Sequence, residues 1–278
     1  MNICIIGAGN IGTYLAAYIS MKHENKVWLH TSKPEAFNDT IALIEEEKNI
    51  THHITLHCIT SSYEEAVSNA DYILITYPSF MMEKTIESIL PYLKKGAVVG
   101  AIPGFGGKEY LIDKLLDKGC IFFGTQRVPS IIRLEKYGES VLLKQKNPFM
   151  KIRVIPGEYS EKVAKDMSNF IDIPCIPLNS YLAITLSPSN PTMHPSRLYE
   201  LFHDYVEGEH IYERNPYFYE EWGTLASTEL LKLDEELEAI FNAFNENGDF
   251  DPRDIEKIKS RYNINTAEEL SEKINTAP

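Results

Sequence analysis

The sequence lacks the features that mark several classes of protein. No segment approaches the unbroken apolar length of a membrane span, so we expect no membrane association. Only 27 lysines and arginines stand against 40 aspartates and glutamates, and the formal net charge of -13 disfavours nucleic acid as a partner. The four cysteines form no C-x-x-C pair, which argues against a zinc site and predicts reduced thiols in a cytoplasmic protein. A signal peptide is not expected either, because no basic region precedes the apolar run Asn2 to Ile6.

The composition is that of an ordinary globular protein. The 278 residues are 44% hydrophobic and 24% charged, and they suffice for two domains that each bury a core. The first part of the chain alternates apolar strands with amphipathic helices, a pattern typical of a parallel sheet covered on both faces. The predicted strands are Asn2 to Ile6, Val27 to His30, Tyr72 to Thr76, Ala97 to Ala101 and Cys120 to Gly124. The predicted helices are Ile11 to Met21, Tyr63 to Ser68, Met81 to Leu93 and Lys108 to Lys118.

Two regions predict additional strands. From Ile131 to Val154, turn dipeptides separate strand-like runs, which predicts antiparallel strands appended to the edge of the sheet. The alternating segments Thr40 to Glu46 and Ile54 to Ile59 predict either a hairpin or one extra strand.

The second half of the chain is helical in pattern. After an amphipathic helix from Ser160 to Ile171, a cluster of prolines and Asn179 indicates a domain boundary near residue 180. Glu220 to Phe244 has strong helical periodicity. We therefore predict an α/β fold, with a Rossmann doubly wound parallel sheet and appended antiparallel strands in residues 1–180. An all-α domain that carries substrate and catalytic groups follows in residues 181–278.

A glycine motif follows the first predicted strand. Gly7, Gly9 and Gly12 form a complete G-x-G-x-x-G turn, in which the glycines allow a tight turn, close approach of a pyrophosphate and helix-strand packing. The backbone amides of Asn10 and Ile11 then face the ligand at the positive end of the helix dipole. The strand before the motif and the helix after it predict a nicotinamide dinucleotide site, whereas the motif alone could be a glycine-rich turn.

The end of the second strand bears on the choice of dinucleotide. An acidic residue there binds the ribose 2′-hydroxyl of NAD, but this strand continues into Thr31, Ser32 and Lys33. Two hydroxyls and a cation predict a preference for NADP(H), with NAD(H) also accepted, although an ordinary polar loop would have the same composition.

Two further segments lie at the carboxyl ends of predicted strands, where open parallel sheets bind ligands. Tyr77, Pro78 and Phe80 follow one strand, and Pro103 and Gly104 follow another. We include these five residues in the predicted cofactor site, although prolines and glycines also simply make turns.

His194 belongs to the most distinctive polar segment, Ser187 to Pro195. On a helix, Asn190 and His194 would share one face, since they are four residues apart. An imidazole is suited to pass the proton that accompanies hydride transfer, but a core or surface histidine would fit the sequence equally well.

No metal site is predicted. His53 and His57 would be placed for a shared metal ion only on a helix, and they lie in strand-like sequence, where a spacing of four holds two side chains too far apart. The polar turn Asn245 to Asp249 is faintly similar to a calcium loop, but Phe250 and Pro252 occupy positions that need oxygen ligands, so an interhelical turn is favoured.

The sequence resembles the octopine/nopaline (opine) dehydrogenases, which join an amino acid to a 2-oxo acid by NAD(P)H-dependent reductive amination. The resemblance rests on Gly7 to Gly12, on Pro129 to Val141 and on Asn190 to Pro195, and it extends to Tyr219 to Asp234, which is similar to the family's long helix. It implies that His194 is the catalytic acid/base, that Asn190 is its companion and that Arg133 holds a substrate carboxylate, a role for which a structural salt bridge is a rival explanation. The implied substrates are a 2-oxo acid and an amino acid.

One departure from the family pattern leaves alternatives open. Family members usually continue well beyond residue 278 with a block that supplies an aspartate to orient the histidine. Three explanations are open: the sequence is truncated, the carboxylate that orients the histidine comes from elsewhere, or the protein has lost the reaction. The rival functions are a ketopantoate reductase-like 2-oxo acid reductase, which usually employs a lysine, and a non-catalytic dinucleotide sensor. A homodimer contact through Leu198, Leu201, Phe202 and Tyr205 is a further hypothesis, and an intramolecular core is the favoured interpretation of those residues.

Overall fold

The computed structural model describes residues 1–188, 190–209, 212–245, 251 and 254–276. The chain divides into two compact units, Met1–Thr185 and Leu186–Pro278. Most of the polar turn Asn245 to Asp249 lies outside the described residues. The strands are β1 (Asn2–Ile6), β2 (Lys26–His30), β3 (Ile41–Glu45), β4 (Ile50–Ile54), β5 (Cys58–Thr60), β6 (Tyr72–Ile75), β7 (Val98–Ala101), β8 (Ile121–Thr125), β9 (Ser130–Lys136), β10 (Ser140–Lys146), β11 (Met150–Ile155) and β12 (Cys175–Pro177). The helices are α1 (Asn10–Ser20), α2 (Tyr63–Val67), α3 (Met82–Ile89), α4 (Asp113–Asp117), α5 (Ser160–Ile171), α6 (Leu182–Thr185), α7 (Asn190–Phe202), α8 (Thr224–Phe244), α9 (Ile258–Tyr262) and α10 (Ala267–Asn275).

The first unit is built on an eight-stranded sheet with the order β12-β11-β8-β7-β6-β1-β2-β5. The six strands from β8 to β5 are parallel and have the Rossmann order, in which β1 lies at the centre and the chain reverses direction across the sheet. β11 pairs antiparallel with β8, and β12 pairs parallel with β11. The predicted fold class is confirmed.

The central strands are buried on both faces because helices cover both. β6, β7 and β8 contain buried residues at every position, as expected for parallel strands inside a sandwich of helices. One core cluster joins the sheet to α1 and α5, and a second joins the opposite face to α2, α3 and α4. Both faces of the central strands are therefore covered, which leaves the carboxyl edge of the sheet as the place where open parallel sheets bind ligands.

A second sheet corrects one part of the predicted topology. β9 and β10 do not extend the edge of the main sheet but form a separate four-stranded sheet with the order β4-β3-β10-β9. β3 and β4 make the hairpin that was one of the two predicted alternatives, with β4 at Ile50–Ile54 rather than at Ile54 to Ile59. Apolar residues of this sheet, such as Ile132, Val141 and Leu143, pack in the same core cluster as α1. Their burial against α1 explains why these strands leave the main sheet.

The described residues of the second unit contain helices and no strand. A core around Trp222, Leu230 and Leu270 holds α8 and α10 together. The long helix begins at Thr224, so Tyr219 lies before it rather than inside it. Leu198, Phe202 and Tyr205 are about half exposed and Leu201 is partly buried, so the favoured interpretation as an intramolecular core is wrong for three of these four residues.

No helix in the described ranges combines the length and the apolar character that a membrane crossing requires.

Candidate cofactor and catalytic sites

The glycine motif forms the turn between β1 and α1. Gly7 adopts a left-handed backbone with φ of +105°, and a Cβ there would lie 2.7 Å from the Thr76 hydroxyl. A Cβ on Gly12 would overlap the carbonyl of Gly7, so Gly12 lets the helix pack directly on the turn. Nothing lies within 4 Å of the Cβ position of Gly9, which leaves open space in front of the first helical turn. The three glycines thus fit the three steric roles of a dinucleotide turn.

The first turn of α1 supplies the amides that would meet a pyrophosphate. Asn10 and Ile11 are the first two residues of the helix, and the first amides of a helix have no intrahelical acceptor. The side chain of Asn10 has a different task, because its Oδ1 accepts a hydrogen bond of 2.8 Å from the backbone of Leu134 in β9. Asn10 therefore ties the second sheet to the glycine turn.

The segment after β2 divides into a buried and an exposed part. Thr31 is buried, and its hydroxyl lies 2.9 Å from the Tyr137 hydroxyl and also accepts from the amide of Lys33. Ser32 and Lys33 are exposed. The roles of Thr31, Ser32 and Lys33 toward a phosphate stay predictions, and of the three only Ser32 and Lys33 are exposed.

The loops after β6 and β7 border the same edge of the main sheet. Tyr77 packs its ring against Gly7, and burial raises its pKa to about 12. Pro78 precedes a 3-10 turn, and Phe80 in that turn is 84% exposed. A Cβ on Gly104 would lie 2.6 Å from Cα of Gly124, so this glycine is required by packing against β8.

Lys108 is a buried cation in the loop after β7. The side chain is 2% exposed, and its Nζ donates a hydrogen bond of 2.7 Å to the carbonyl of Pro103. Burial lowers its pKa to about 8. Sequence reasoning missed this residue, because a single lysine after a glycine pair has no distinguishing pattern.

His194 lies in α7, where Asn190 is the first residue and stands one turn before it. The Nε2 of His194 is 3.1 Å from the Tyr219 hydroxyl, and the ring meets Phe218 edge-on with centroids 5.1 Å apart. Burial lowers the pKa of His194, which favours the neutral imidazole. A neutral, partly shielded imidazole held by a phenol is a competent proton acceptor.

Tyr219 owes its place to an ion pair on the next turn of α7. Arg197 is buried, pairs with Glu200 and donates a hydrogen bond of 3.1 Å to the carbonyl of Tyr217. Glu200 also accepts from the amide of Gly223 at 3.0 Å. The pair thus fixes both ends of the segment that carries Tyr219, a partner of His194 that the sequence pattern did not reveal.

Arg133 is exposed in β9 and donates a hydrogen bond of 3.1 Å to the carbonyl of Ile132. Its role toward a substrate carboxylate stays a prediction.

Two family models match the chain. Residues 3–139 match ketopantoate reductase PanE/ApbA, and residues 177–278 match the alpha-helical domain of NAD/NADP octopine/nopaline dehydrogenase. Tauropine dehydrogenase from Arabella iricolor is 27% identical over 58% of this chain and 42% of its own length. Opine dehydrogenase from Haliotis discus hannai is 30% identical over 35% of this chain and 25% of its own length. A solved octopine dehydrogenase with NADH and L-arginine has a TM-score of 0.84 at 20% identity, over 99% of this chain and 74% of that one.

The chain therefore has the fold of the solved octopine dehydrogenase, and its two parts match domain models taken from dehydrogenases and reductases. Residues 177–278 match the octopine/nopaline dehydrogenase helical domain, and two curated relatives are a tauropine and an opine dehydrogenase, so the resemblance seen in the sequence is confirmed. The matched region spans less than half the length of the two curated relatives named above.

Proposed function

We propose that the protein is an opine dehydrogenase, which uses NAD(P)H to condense a 2-oxo acid with an amino acid. One observation carries the proposal. Residues 177–278 match the octopine/nopaline dehydrogenase helical domain, and this segment contains His194, whose imidazole is held by Tyr219. Octopine dehydrogenase structures with NADH and with pyruvate, L-arginine or agmatine support the substrate classes. The glycine turn in the first unit fits the cofactor, because Gly9 leaves space where the helix amides are free.

The residues of this chain would divide the work as follows. Gly7, Gly9 and Gly12 and the amides after them bind the pyrophosphate, and the bound nicotinamide supplies the hydride. His194 accepts the proton that the amino group releases when it attacks the oxo carbon, and it returns a proton to the departing hydroxyl. Tyr219 orients the imidazole through Nε2. Asn190, one turn before His194, would contact the same substrate, and Arg133 would bind a carboxylate.

Oxidation of NADPH and NADH tests the reaction directly. We expect turnover with pyruvate and other 2-oxo acids only when an amino acid is also present. His194→Ala should lower kcat by about a hundredfold or more, in line with the loss of an acid/base group, and leave the cofactor Kd unchanged. His203→Ala, an exposed histidine just beyond the same helix, is the matched control and should keep full activity. Full activity of His194→Ala would remove this residue from the mechanism.

A ketopantoate reductase-like reaction is the second candidate, and the match of residues 3–139 favours it. That enzyme would oxidise the cofactor with a 2-oxo acid alone. A non-catalytic dinucleotide sensor would bind the cofactor and show no turnover with either set of substrates. The same assay therefore separates all three functions.

NADP(H) is the preferred cofactor in this proposal. Ser32 and Lys33 are exposed after β2, where an NAD-specific site would carry an acidic residue, and Lys33 offers a charge to the 2′-phosphate. Lys33→Gln should raise the Kd for NADPH about tenfold and leave the Kd for NADH nearly unchanged. Lys26→Gln, at the opposite end of β2, controls for the loss of overall charge. Tighter binding of NADH than of NADPH to the unaltered protein would refute the preference.

Two further properties stay proposals. The four cysteines are free, and Cys4 and Cys120 are buried, which suits a reducing compartment such as the cytoplasm. The exposed apolar residues Leu198, Phe202 and Tyr205 of the α7 region are the surface on which a homodimer would form.

A further inference from the structure

The second sheet touches the predicted cofactor site at two points. At one end of the segment Leu134 to Tyr137, the Leu134 amide donates to Asn10 at the glycine turn, over 2.8 Å. At the other end, the Tyr137 hydroxyl lies 2.9 Å from the Thr31 hydroxyl after β2. In a Rossmann site the pyrophosphate lies at the glycine turn, and the adenosine ribose lies beside the end of the second strand. The segment therefore runs along the part of the site that would hold the adenosine half of the cofactor.

The turn after β9 is fixed in place by the chain that follows β2. Gly138 adopts a left-handed backbone with φ of +75°, and a Cβ there would overlap the carbonyl of Ala36. The amide of Asn38 donates to the carbonyl of Gly138 at 3.0 Å. This turn cannot move away from the end of β2 without losing these contacts.

The Tyr137 ring is held but not covered. Its hydroxyl is engaged by Thr31, and Phe37 meets the ring edge-on with centroids 5.2 Å apart. The side chain is nevertheless 38% exposed. A ligand that reaches this position therefore meets an immobilised aromatic surface rather than a free hydroxyl. Flat aromatic surfaces of this kind bind nucleotide bases by stacking, with little dependence on the base.

We propose that Tyr137 is a binding residue for the adenosine half of the dinucleotide, and that the second sheet serves to present it. This inference rests on the proposed dinucleotide function and adds a subsite that the glycine motif does not define. The ligand class is an adenine nucleotide, and the nicotinamide half makes no contact with Tyr137. The rival explanation is that Tyr137 only pins the turn through its hydroxyl.

Fragments of the cofactor test the subsite on the full-length chain. The Kd values of 2′,5′-ADP and of NADPH are measured by calorimetry, and binding of reduced nicotinamide mononucleotide is measured by saturation-transfer NMR. Tyr137→Ala should raise the Kd values of 2′,5′-ADP and NADPH by about fivefold or more, which is the loss of affinity expected for one stacking contact. Its affinity for the mononucleotide should equal that of the unaltered protein, which also shows that the variant is folded. Tyr137→Phe keeps the ring and should bind 2′,5′-ADP within about twofold of the unaltered protein.

Two results would overturn the proposal. One is an unchanged affinity of Tyr137→Ala for 2′,5′-ADP. The other is a loss of affinity in Tyr137→Phe equal to that in Tyr137→Ala, which would show that the hydrogen bond of the Tyr137 hydroxyl matters and not the ring. Tyr92→Ala is the matched control, since Tyr92 is 39% exposed and lies in the 3-10 turn before β7. If the unaltered protein binds no nucleotide at all, the dinucleotide function itself fails. If it binds 2′,5′-ADP and Tyr137→Ala has no effect, only the subsite fails.

Discussion

Lys108 is a single residue whose burial lowers the stability of the folded protein. The residue is 2% exposed, and its ammonium donates to one carbonyl, that of Pro103, although an ammonium has three donors. Burial disfavours the charged form and lowers the pKa from 10.5 to about 8. At neutral pH the folded protein therefore holds a charge that the unfolded chain would keep in water.

Replacing Lys108 with Met should make the protein more stable at pH 7. The lowered pKa corresponds to a cost of about 3 kcal/mol, and loss of the hydrogen bond to Pro103 offsets roughly 1 kcal/mol of the gain. The full free-energy cost of burying this charge applies below pH 8, where Lys108 is charged in both the folded and the unfolded state. It falls as the pH rises from about 8 to 10.5, because the folded state then binds fewer protons than the unfolded state.

Urea denaturation at pH 7 and at pH 10 measures this difference in unfolding free energy. We expect Lys108→Met to gain about 2 kcal/mol at pH 7 and clearly less at pH 10. Lys114→Met, an exposed lysine of α4 paired with Glu87, is the control and should change stability by less than about 0.5 kcal/mol. A destabilised Lys108→Met at pH 7 would mean that the bond to Pro103 outweighs the cost of burial.

The local sequence was enough to predict the roles of residues that depend only on the backbone around them. Gly7 and Gly12 were predicted because a tight turn and a packed helix start leave no room for a side chain, and the structure shows the same restriction. The engagement of Thr31 was not predictable, because its partner Tyr137 lies 106 residues further along the chain. Tyr219, the partner of His194, is 25 residues away in a segment ordered by Arg197 and Glu200.

At the level of the elements, the sequence predicts the parallel core well and the second sheet poorly. β1, β6, β7 and β8 are short, mostly apolar runs between turn residues, and their predicted bounds agree with the structure to within a residue or two. The predicted helix from Lys108 to Lys118 is instead a 3-10 turn followed by the short helix α4.

The partners of β9 and β10 could not be predicted from periodicity. Both strands alternate more buried and less buried residues, and such alternation fits an edge of the main sheet as well as a separate sheet. Which of the two sheets forms depends on β3, whose residues Ala42 to Glu45 pair in parallel with Ser140 to Leu143, almost a hundred residues later. Pairing over that distance is set by burial against α1, which no local window contains.

At the scale of the whole molecule, each unit has its own core and its own tryptophan. Trp28 lies in β2 and packs against a core cluster of the first unit, whereas Trp222 is 1% exposed in the core of the second. These are the two tryptophans of the sequence. Variants with Trp222→Phe or Trp28→Phe therefore report by fluorescence on the unfolding of one unit at a time.

We expect NADPH to stabilise the two units unequally. A ligand stabilises the unit that binds it, by about 2.7 kcal/mol at a concentration of 100 times Kd, because it binds the folded state and not the unfolded one. The predicted cofactor residues, from Gly7 to Gly104, all belong to the first unit, whose core is complete without residues of the second. In urea, NADPH should thus raise the unfolding midpoint reported by Trp28 and leave the midpoint reported by Trp222 in place. Equal shifts of both signals would show that the chain unfolds as one cooperative body, and a shift of the Trp222 signal alone would move the cofactor site to the helical unit.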